Sequence, residues 1–250
     1  MLIRIIVVAL CFGIVIFCFK ETTFRILFAP CSNHFITYEG LERLCDMAGI
    51  SLRFDEYSIT LINTELSSQF TTHLTTSFIL AMLFTSPYVV AELYRFIAPA
   101  LYENERRYSV AVTIAVYGLF VLGVLMSYFV IFPFALRFLG TYQVSADVVN
   151  QINLSSYIST FTTLTFLMGL VFQIPVVSFF LAKMELLEAS FMRRYRAHSM
   201  IVILLTAAFI TPPDLFTLIM VTVPMYALYE LSIFIVSRCE KRKNRKVIGT

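Results

Sequence analysis

Apolar residues occur in long runs along this chain, and short polar segments separate them. Charged residues, proline or glycine bound each run, and the six main runs cover residues 2–19, 70–98, 109–132, 157–182, 197–210 and 215–237. A helix needs about 20 predominantly apolar residues to cross the hydrocarbon core of a bilayer. The pattern therefore predicts an all-α polytopic membrane protein, a single domain over residues 1–250 with six transmembrane helices and a tail over residues 238–250.

Three of the predicted helices contain an internal proline, at Pro87, Pro175 and Pro224. Proline has no N–H to donate to the carbonyl four residues earlier, so the helix bends and leaves a polar group that needs a protein partner. We therefore expect bent helices arranged as a concave, cupped bundle rather than as a straight one.

The fifth apolar run is too short for an ordinary span. Fifteen residues lie between Arg196 and Pro212, and they make about 22 Å of helix at 1.5 Å per residue. The hydrocarbon core is about 30 Å thick, so this helix crosses it only where the bilayer thins or neighbouring helices shield its ends. A Thr-Pro-Pro-Asp turn at residues 211–214 leads into the sixth run, which predicts a short hairpin of helices five and six.

Composition and charge agree with a membrane protein. Of the 250 residues, 59% are hydrophobic and only 14% are charged, which is too little charge to cover a soluble domain. If six helices cross the membrane, fourteen lysines and arginines fall on the side that holds both termini and five on the other. Positive residues accumulate on the cytosolic side, so we expect both termini there. The basic tail either marks this topology or contacts anionic lipid.

Signatures of enzymes do not occur in the sequence, which contains no GxSxG, HExxH, Walker or GxGxxG motif. The three histidines, His34, His73 and His198, lie on separate segments, and the five cysteines show no metal-ligand spacing. Cys31 and Cys45 share the loop after the first run, where they form a disulfide in an oxidising compartment or remain two thiols. We expect no enzymatic activity, metal or cofactor.

A polar segment between the second and third runs places Glu105 at the membrane edge. If Asn104 caps the following helix, Glu105 lies in its first turn, where the helix dipole favours a carboxylate. The same carboxylate, ringed by Phe96, Leu101 and Tyr102, could instead bind an incoming guanidinium in a bidentate manner. Both interpretations fit the residues.

Two polar side chains fall inside apolar runs. Gln173 lies two residues before Pro175, and its amide could satisfy either the carbonyl of Val171, which the proline deprives of a donor, or a polar group of a partner. Glu230 in the last run needs a polar partner or a bound proton in an apolar environment. Tyr226, one helical turn earlier, is a candidate partner.

Three segments together resemble the TatC family. The first is Phe-Ile-Ala-Pro-Ala-Leu-Tyr-Glu-Asn-Glu-Arg-Arg at residues 96–107, and the second is Met-Gly-Leu-Val-Phe-Gln-Ile-Pro-Val-Val at residues 168–177. The third is Thr-Pro-Pro-Asp at residues 211–214, followed by Val-Pro-Met-Tyr-Ala-Leu-Tyr-Glu at residues 223–230. The segments occur in the order and at the spacing of the family, and the resemblance covers nearly the whole chain.

The resemblance implies a non-enzymatic signal-peptide receptor and core subunit of the twin-arginine translocase, which exports folded proteins across an energy-transducing membrane with the proton-motive force. The implied partners are TatA-type and TatB-type single-span proteins, twin-arginine signal peptides, membrane lipids and further copies of the chain, without nucleic acid. The implied location is the bacterial inner membrane, or the mitochondrial inner or thylakoid membrane for an organellar protein.

The resemblance also assigns residues. It implies a cytosolic signal-peptide site with Glu105 as the acceptor of the signal arginine and a loop shaped by Phe96, Pro99, Leu101, Tyr102 and Arg106. It implies docking of partner helices, with polar groups inside the membrane, at Gln173, Pro212, Asp214, Met225, Tyr226 and Glu230. The family's His-Leu-x-Glu-Leu-Arg segment before the first helix does not occur here, so either the true start lies upstream or the loop alone binds signals.

Two other classes of protein fit parts of the pattern. A proton-coupled secondary transporter of small molecules would also use bent helices with Glu230 and Gln173 inside the membrane. It predicts inverted repeats, which the sequence does not show. An intramembrane enzyme would need a nucleophile or metal motif. The transporter gives no reason for a helix too short to span, and the motifs of the enzyme are absent, so the pattern favours the translocase subunit.

Overall fold

The computed structural model describes residues 2–32, 35–47, 60–64, 66–97, 109–143, 145 and 150–248, which are mostly helical. The α-helices are α1 (Leu2–Cys18), α2 (Lys20–Phe28), α3 (Ile36–Met47), α4 (Ser68–Ile97), α5 (Ser109–Met126), α6 (Phe132–Thr141), α7 (Leu154–Val171), α8 (Ile174–Lys183), α9 (Ala189–Arg194), α10 (Arg196–Ile210) and α11 (Leu215–Ile248). A 3₁₀ turn (Ala29–Cys31) follows α2, and a π-helical turn (Ser127–Ile131) joins α5 to α6. Two-residue strands, β1 (Leu61–Ile62) and β2 (Ile152–Asn153), pair in parallel.

Four helical stretches within the described residues are long and apolar enough to cross a membrane: Ser68–Glu92, Thr113–Thr141, Leu154–Lys183 and Leu215–Lys241. α1 passes the same test only together with the stretch Lys20–Met47, from which it bends by 83°. By length and composition, these residues thus contain four candidate spans, or five if the bent pair counts as one. α10 is apolar but has only 15 residues, which confirms the prediction of a helix too short for an ordinary span.

Of the three internal prolines, one coincides with a helix break. α4 and α11 continue through Pro87 and Pro224, whereas Pro175 follows a break between α7 and α8 at residues 172–173. α11 also continues to Ile248, beyond the end predicted for the last apolar run. Lysine, arginine and glutamate are good helix formers, so the helix extends through the basic tail.

The chain divides into two compact units, Met1–Thr85 with Leu125–Thr165, and Ser86–Val124 with Phe166–Thr250. In the first unit, Pro133 has no N–H for the carbonyl of Phe129, and the hydroxyl of Thr37 in α3 donates to that carbonyl. The buried Tyr38, also in α3, donates to the carbonyl of Pro133 at 2.7 Å. α3 therefore satisfies backbone acceptors at the π-helical turn, where the regular helical pattern is broken.

Pro30 creates a similar position in the first unit. It has no N–H for the carbonyl of Ile26, and that carbonyl accepts the N–H of Ala29 and the hydroxyl of Tyr128, the latter at 2.8 Å. The buried Tyr157 donates to the next carbonyl, that of Leu27, at 2.6 Å. Two tyrosine hydroxyls thus hold the end of α2.

In the second unit, α5 and α7 approach each other through two glycines. A Cβ atom on Gly123 would lie 2.7 Å from the carbonyl oxygen of Met168, and a Cβ atom on Gly169 would lie 2.7 Å from the ring of Phe120. Both distances are too short for a real side chain. The obstacle at Gly123 is backbone, so the close approach of these helices requires glycine there, whereas a Cβ atom on Gly169 would force the ring of Phe120 to shift.

The second unit also packs α8, α9 and α10 against α11. A buried apolar cluster of Ala189, Met192, Ile233 and Val236 joins α9 to the C-terminal half of α11. Glu240 accepts the N–H of Ala189 at 2.8 Å and satisfies one of the donors that lack a helical partner at the start of α9. These contacts hold α9, and the start of α10 that follows it, beside α11.

Candidate functional site

The residues that the resemblance assigns to signal-peptide binding lie almost entirely outside the described part of the chain. The backbone of Phe96 belongs to the last turn of α4, but its side chain is outside the described residues. The others, Pro99, Leu101, Tyr102, Glu105 and Arg106, are outside them as well. The assignment of this loop stays a prediction.

Gln173 lies in the break between α7 and α8, where its N–H donates to the carbonyl of Leu170 at 2.9 Å. Its side chain is 6% exposed, and Nε2 donates to the carbonyl of Val116 in α5 at 3.1 Å. Of the two alternatives raised by the sequence, the carbonyl of Val171 is therefore not the partner of this amide. The other amide atom, Oε1, is buried and has no hydrogen-bond partner among the described residues.

The turn between α10 and α11 shows why an aspartate stands at its end. Oδ1 of Asp214 accepts the N–H of Thr217 at 2.7 Å, which makes Asp214 the N-cap of α11. The side chain of Thr211 donates to the carbonyl of Ala207 at 3.0 Å and closes the last turn of α10. Oδ2 of Asp214 and Oγ1 of Thr217 are buried and have no partner within the described residues.

Packing and exposure differ among the assigned docking residues. Met225 is 2% exposed and packs inside the second unit, and Pro212 is half-buried in the turn. The apolar side chains most exposed on the hairpin are Phe209 at 89% and Leu215 at 77%. The sequence motifs did not single these two out, although both flank the Thr-Pro-Pro-Asp turn.

Glu230 lies in an ion pair that the sequence analysis missed. Its Oε2 accepts Nη2 of Arg196 at 2.7 Å, and its Oε1 accepts the hydroxyl of Tyr226 at 3.2 Å. The prediction of Tyr226 as a partner is confirmed. The two charged side chains are 35% and 47% exposed, so Glu230 is neither deeply buried nor alone.

The position of Arg196 contained a signal for this pairing. Arg196 lies as many residues before Pro213 as Glu230 lies after it. In an antiparallel hairpin that turns at Pro213, two such residues reach the same level. In the apolar pattern Arg196 marks the start of the fifth run, and this symmetry is the signal that could have paired it with Glu230.

The described residues give little support for a metal site or for a disulfide. No group of three or more histidine, cysteine, aspartate or glutamate side chains among them could hold a metal ion. Cys31 and Cys45 are both free thiols. In the segment after α2, burial raises the pKa of the Cys31 thiol, and a hydrogen bond with Tyr157 opposes this shift in part.

The helices and their polar contacts define a polytopic α-helical membrane protein with hydrogen-bonded polar groups inside its apolar stretches. A family model described as "Sec-independent protein translocase protein (TatC)" matches residues 1–224. The chain therefore belongs to the TatC family.

Individual relatives and solved structures agree with this assignment. The Sec-independent protein translocase protein TatC of Blattabacterium sp. subsp. Periplaneta americana is 36% identical over 221 residues, which are 87% of this chain and 83% of that relative. The protein TatCy of Bacillus subtilis is 35% identical over 170 residues, 68% and 66% of the two chains. A crystal structure of the twin arginine translocase receptor TatC superimposes with a TM-score of 0.75 and 25% identity over 96% of each chain. The protein is thus a component of the twin-arginine translocase, and the small-molecule transporter is not supported.

Proposed function

We propose that this chain is the signal-peptide receptor and core subunit of a twin-arginine translocase in the bacterial inner membrane. It exports folded proteins with the proton-motive force and performs no enzymatic reaction. The observation that carries the proposal is its likeness, over 96% of each chain, to a structure described as the translocase receptor. The two relatives named above come from bacteria, which favours that membrane over an organellar one.

The proposed topology has six spans, with both termini in the cytosol, in a concave bundle. Four full-length spans are supplemented by α1 and by the short α10. The distribution of lysine and arginine supports the orientation, because it puts most of the positive charge on the side of the termini. Either the bilayer thins around α10 or neighbouring helices shield the ends of α10, since its 15 helical residues cover about 22 Å.

The proposed receptor site is the loop after α4, with Glu105 as the acceptor of a signal arginine. A carboxylate binds a guanidinium through two parallel hydrogen bonds, which a lysine cannot imitate. The loop is completed by Phe96, Pro99, Leu101, Tyr102 and Arg106. This arrangement would select an arginine pair by geometry as well as by charge.

The proposed docking region for TatA-type and TatB-type helices comprises Gln173, Pro212, Asp214, Met225, Tyr226 and Glu230. Two buried acceptors support it, because Oε1 of Gln173 and Oδ2 of Asp214 have no partner among the described residues. A polar side chain of an incoming helix can supply the missing donor. The exposed Phe209 and Leu215 provide apolar contact area beside the turn.

Photocrosslinking of a twin-arginine signal peptide to the loop around Glu105 tests the receptor role. We expect Glu105→Ala to abolish crosslinking and export of a folded reporter, and Glu105→Gln to weaken both because the charge is lost. Glu103→Ala is the matched control, since it removes a carboxylate from the same loop. Unchanged crosslinking and export in Glu105→Ala would show that this residue is not the acceptor of the signal arginine.

A further inference from the structure

A groove lies in the second unit between the α9–α10 junction and α11. It is lined by Arg193, Arg196, Glu230, Ile233 and Phe234, which combine charged groups with apolar surface. The groove is open to its surroundings, and Phe234 is 51% exposed. Its lining is therefore amphipathic and accessible.

Positive charge in and around the groove exceeds negative charge. Glu230 neutralises Arg196, but the side-chain hydrogen bond of Arg193 within the described residues goes to the neutral hydroxyl of Ser237, at 3.4 Å. The guanidinium of Arg238 lies over the ring of Phe234, 4.3 Å from its centroid. Among the described side chains, neither Arg193 nor Arg238 pairs with a carboxylate.

If the hydrocarbon core begins at Leu215, the groove lies near the level of the lipid headgroups on the other side of the bilayer. From Leu215 at the start of α11 to Phe234 the helix rises about 28 Å, close to the 30 Å thickness of a hydrocarbon core. Arg238 follows one helical turn later. With the core placed in this way, the apolar floor of the groove would face acyl chains, and its arginines would face the phosphate layer.

We propose that this groove binds the phosphate of an anionic phospholipid, which goes beyond the receptor function. The guanidinium groups of Arg193 and Arg238 hold the phosphate, because guanidinium binds phosphate oxygens in a bidentate manner. One acyl chain lies along Phe234 and Ile233. The excess positive charge disfavours a zwitterionic lipid, whose ammonium group would approach the same arginines.

The apolar floor distinguishes a lipid from a soluble anion. Inorganic phosphate satisfies the arginines but leaves Phe234 uncovered, and it gains no free energy from apolar contact. Binding should therefore require both the negative headgroup and the acyl chains. It should also weaken about fivefold for each arginine removed, which corresponds to the usual contribution of one basic residue at an anionic membrane surface.

Native mass spectrometry of the full chain in detergent tests the proposal. The probes are phosphatidylglycerol, phosphatidylcholine with the same acyl chains, and inorganic phosphate. We expect saturable binding of phosphatidylglycerol, at least fivefold tighter than that of the other two, and a loss of about fivefold in either Arg193→Gln or Arg238→Gln. Thermal unfolding without lipid shows that each variant is folded.

Arg194→Gln is the matched control, because Arg194 is exposed, adjacent in sequence and not part of the groove lining. Retained binding in this variant supports the groove. An equal loss in Arg194→Gln would overturn the proposal in favour of general surface charge. Equal binding of phosphatidylcholine, or of inorganic phosphate, would overturn it as well.

Discussion

Nη2 of Arg196 donates to Oε2 of Glu230 across 2.7 Å, and this ion pair joins the two arms of the α10–α11 hairpin at the end opposite its turn. The hydroxyl of Tyr226 donates a hydrogen bond to the second carboxylate oxygen, Oε1 of Glu230. The pair therefore sets the register between a helix too short to span and the long helix beside it. Because both charged side chains are partly exposed, its coupling should be that of an exposed pair.

A double-mutant cycle measures this coupling. We expect Arg196→Gln and Glu230→Gln each to lower the free energy of unfolding by up to about 1 kcal/mol. The double variant should lose less than the sum of the two, because both changes remove the same contact. Denaturant unfolding in mixed micelles gives the three values. Arg194→Gln controls for the loss of charge alone, and strictly additive losses would contradict the coupling.

The pairing shows where prediction from the sequence works and where it stops. Tyr226 was predicted as a partner of Glu230 because residues four apart share one helix face whatever surrounds them. Arg196 was missed because its proximity depends on the geometry of the turn at residues 211–214. Likewise, the apolar runs predict helices by composition, but the extension of α11 to Ile248 follows from helix propensity rather than hydropathy.

The close packing of α5 against α7 also could not be predicted from a single sequence. Gly123 and Gly169 lie in apolar helices like Gly118 does, and nothing in their neighbours sets them apart. The structure distinguishes them, because an added Cβ would clash at Gly123 and Gly169 and would meet nothing within 4 Å at Gly118. The difference arises from how α5 and α7 cross.

Gly123→Ala and Gly169→Ala should therefore destabilise the protein. We expect each to lower the free energy of unfolding by about 1–3 kcal/mol, as overpacking of a tight core does. Gly118→Ala is the matched control in the same helix, and it should be neutral or stabilising by up to about 1 kcal/mol because alanine favours a helix. Unfolding in mixed micelles provides the comparison. A larger loss in Gly118→Ala than in Gly123→Ala would contradict the close crossing of α5 and α7 at Gly123.

A substitution at Gln173 can separate an effect on stability from an effect on export. Gln173→Met keeps the size of the side chain but removes its hydrogen bond to Val116 and its unpartnered Oε1. The carbonyl of Val116 lies within α5, where a helical donor is available, so we expect the free energy of unfolding to change by no more than about 1 kcal/mol. Export of a folded reporter should fall sharply if Oε1 accepts a donor from a partner helix.

The control for this variant is Gln69→Met, which removes an exposed amide from the first turn of α4. Its export should match that of the wild type. Normal export in Gln173→Met would remove Gln173 from the docking region. Loss of export together with a large loss of stability would instead assign the amide a role in holding the break between α7 and α8.

The carbonyls beside Pro30 and Pro133 lead to a last prediction for the first unit. Tyr128→Phe removes the hydroxyl that reaches Ile26, and Thr37→Val removes the hydroxyl that reaches Phe129. Each change removes a side-chain hydrogen bond to a carbonyl that proline cannot serve. The bond of Tyr128 is exposed and that of Thr37 is half-buried, so each loss should cost about 1 kcal/mol.

We therefore expect Tyr128→Phe and Thr37→Val each to lower the midpoint of thermal unfolding and to speed amide hydrogen exchange at the end of α2 and at the π-helical turn, respectively. Tyr117→Phe is the matched control, because this tyrosine is 37% exposed on α5. Its hydroxyl makes no hydrogen bond to the described residues. If Tyr117→Phe lowered the midpoint as much as Tyr128→Phe, the stabilising effect could not come from the hydrogen bond of Tyr128 to the carbonyl of Ile26.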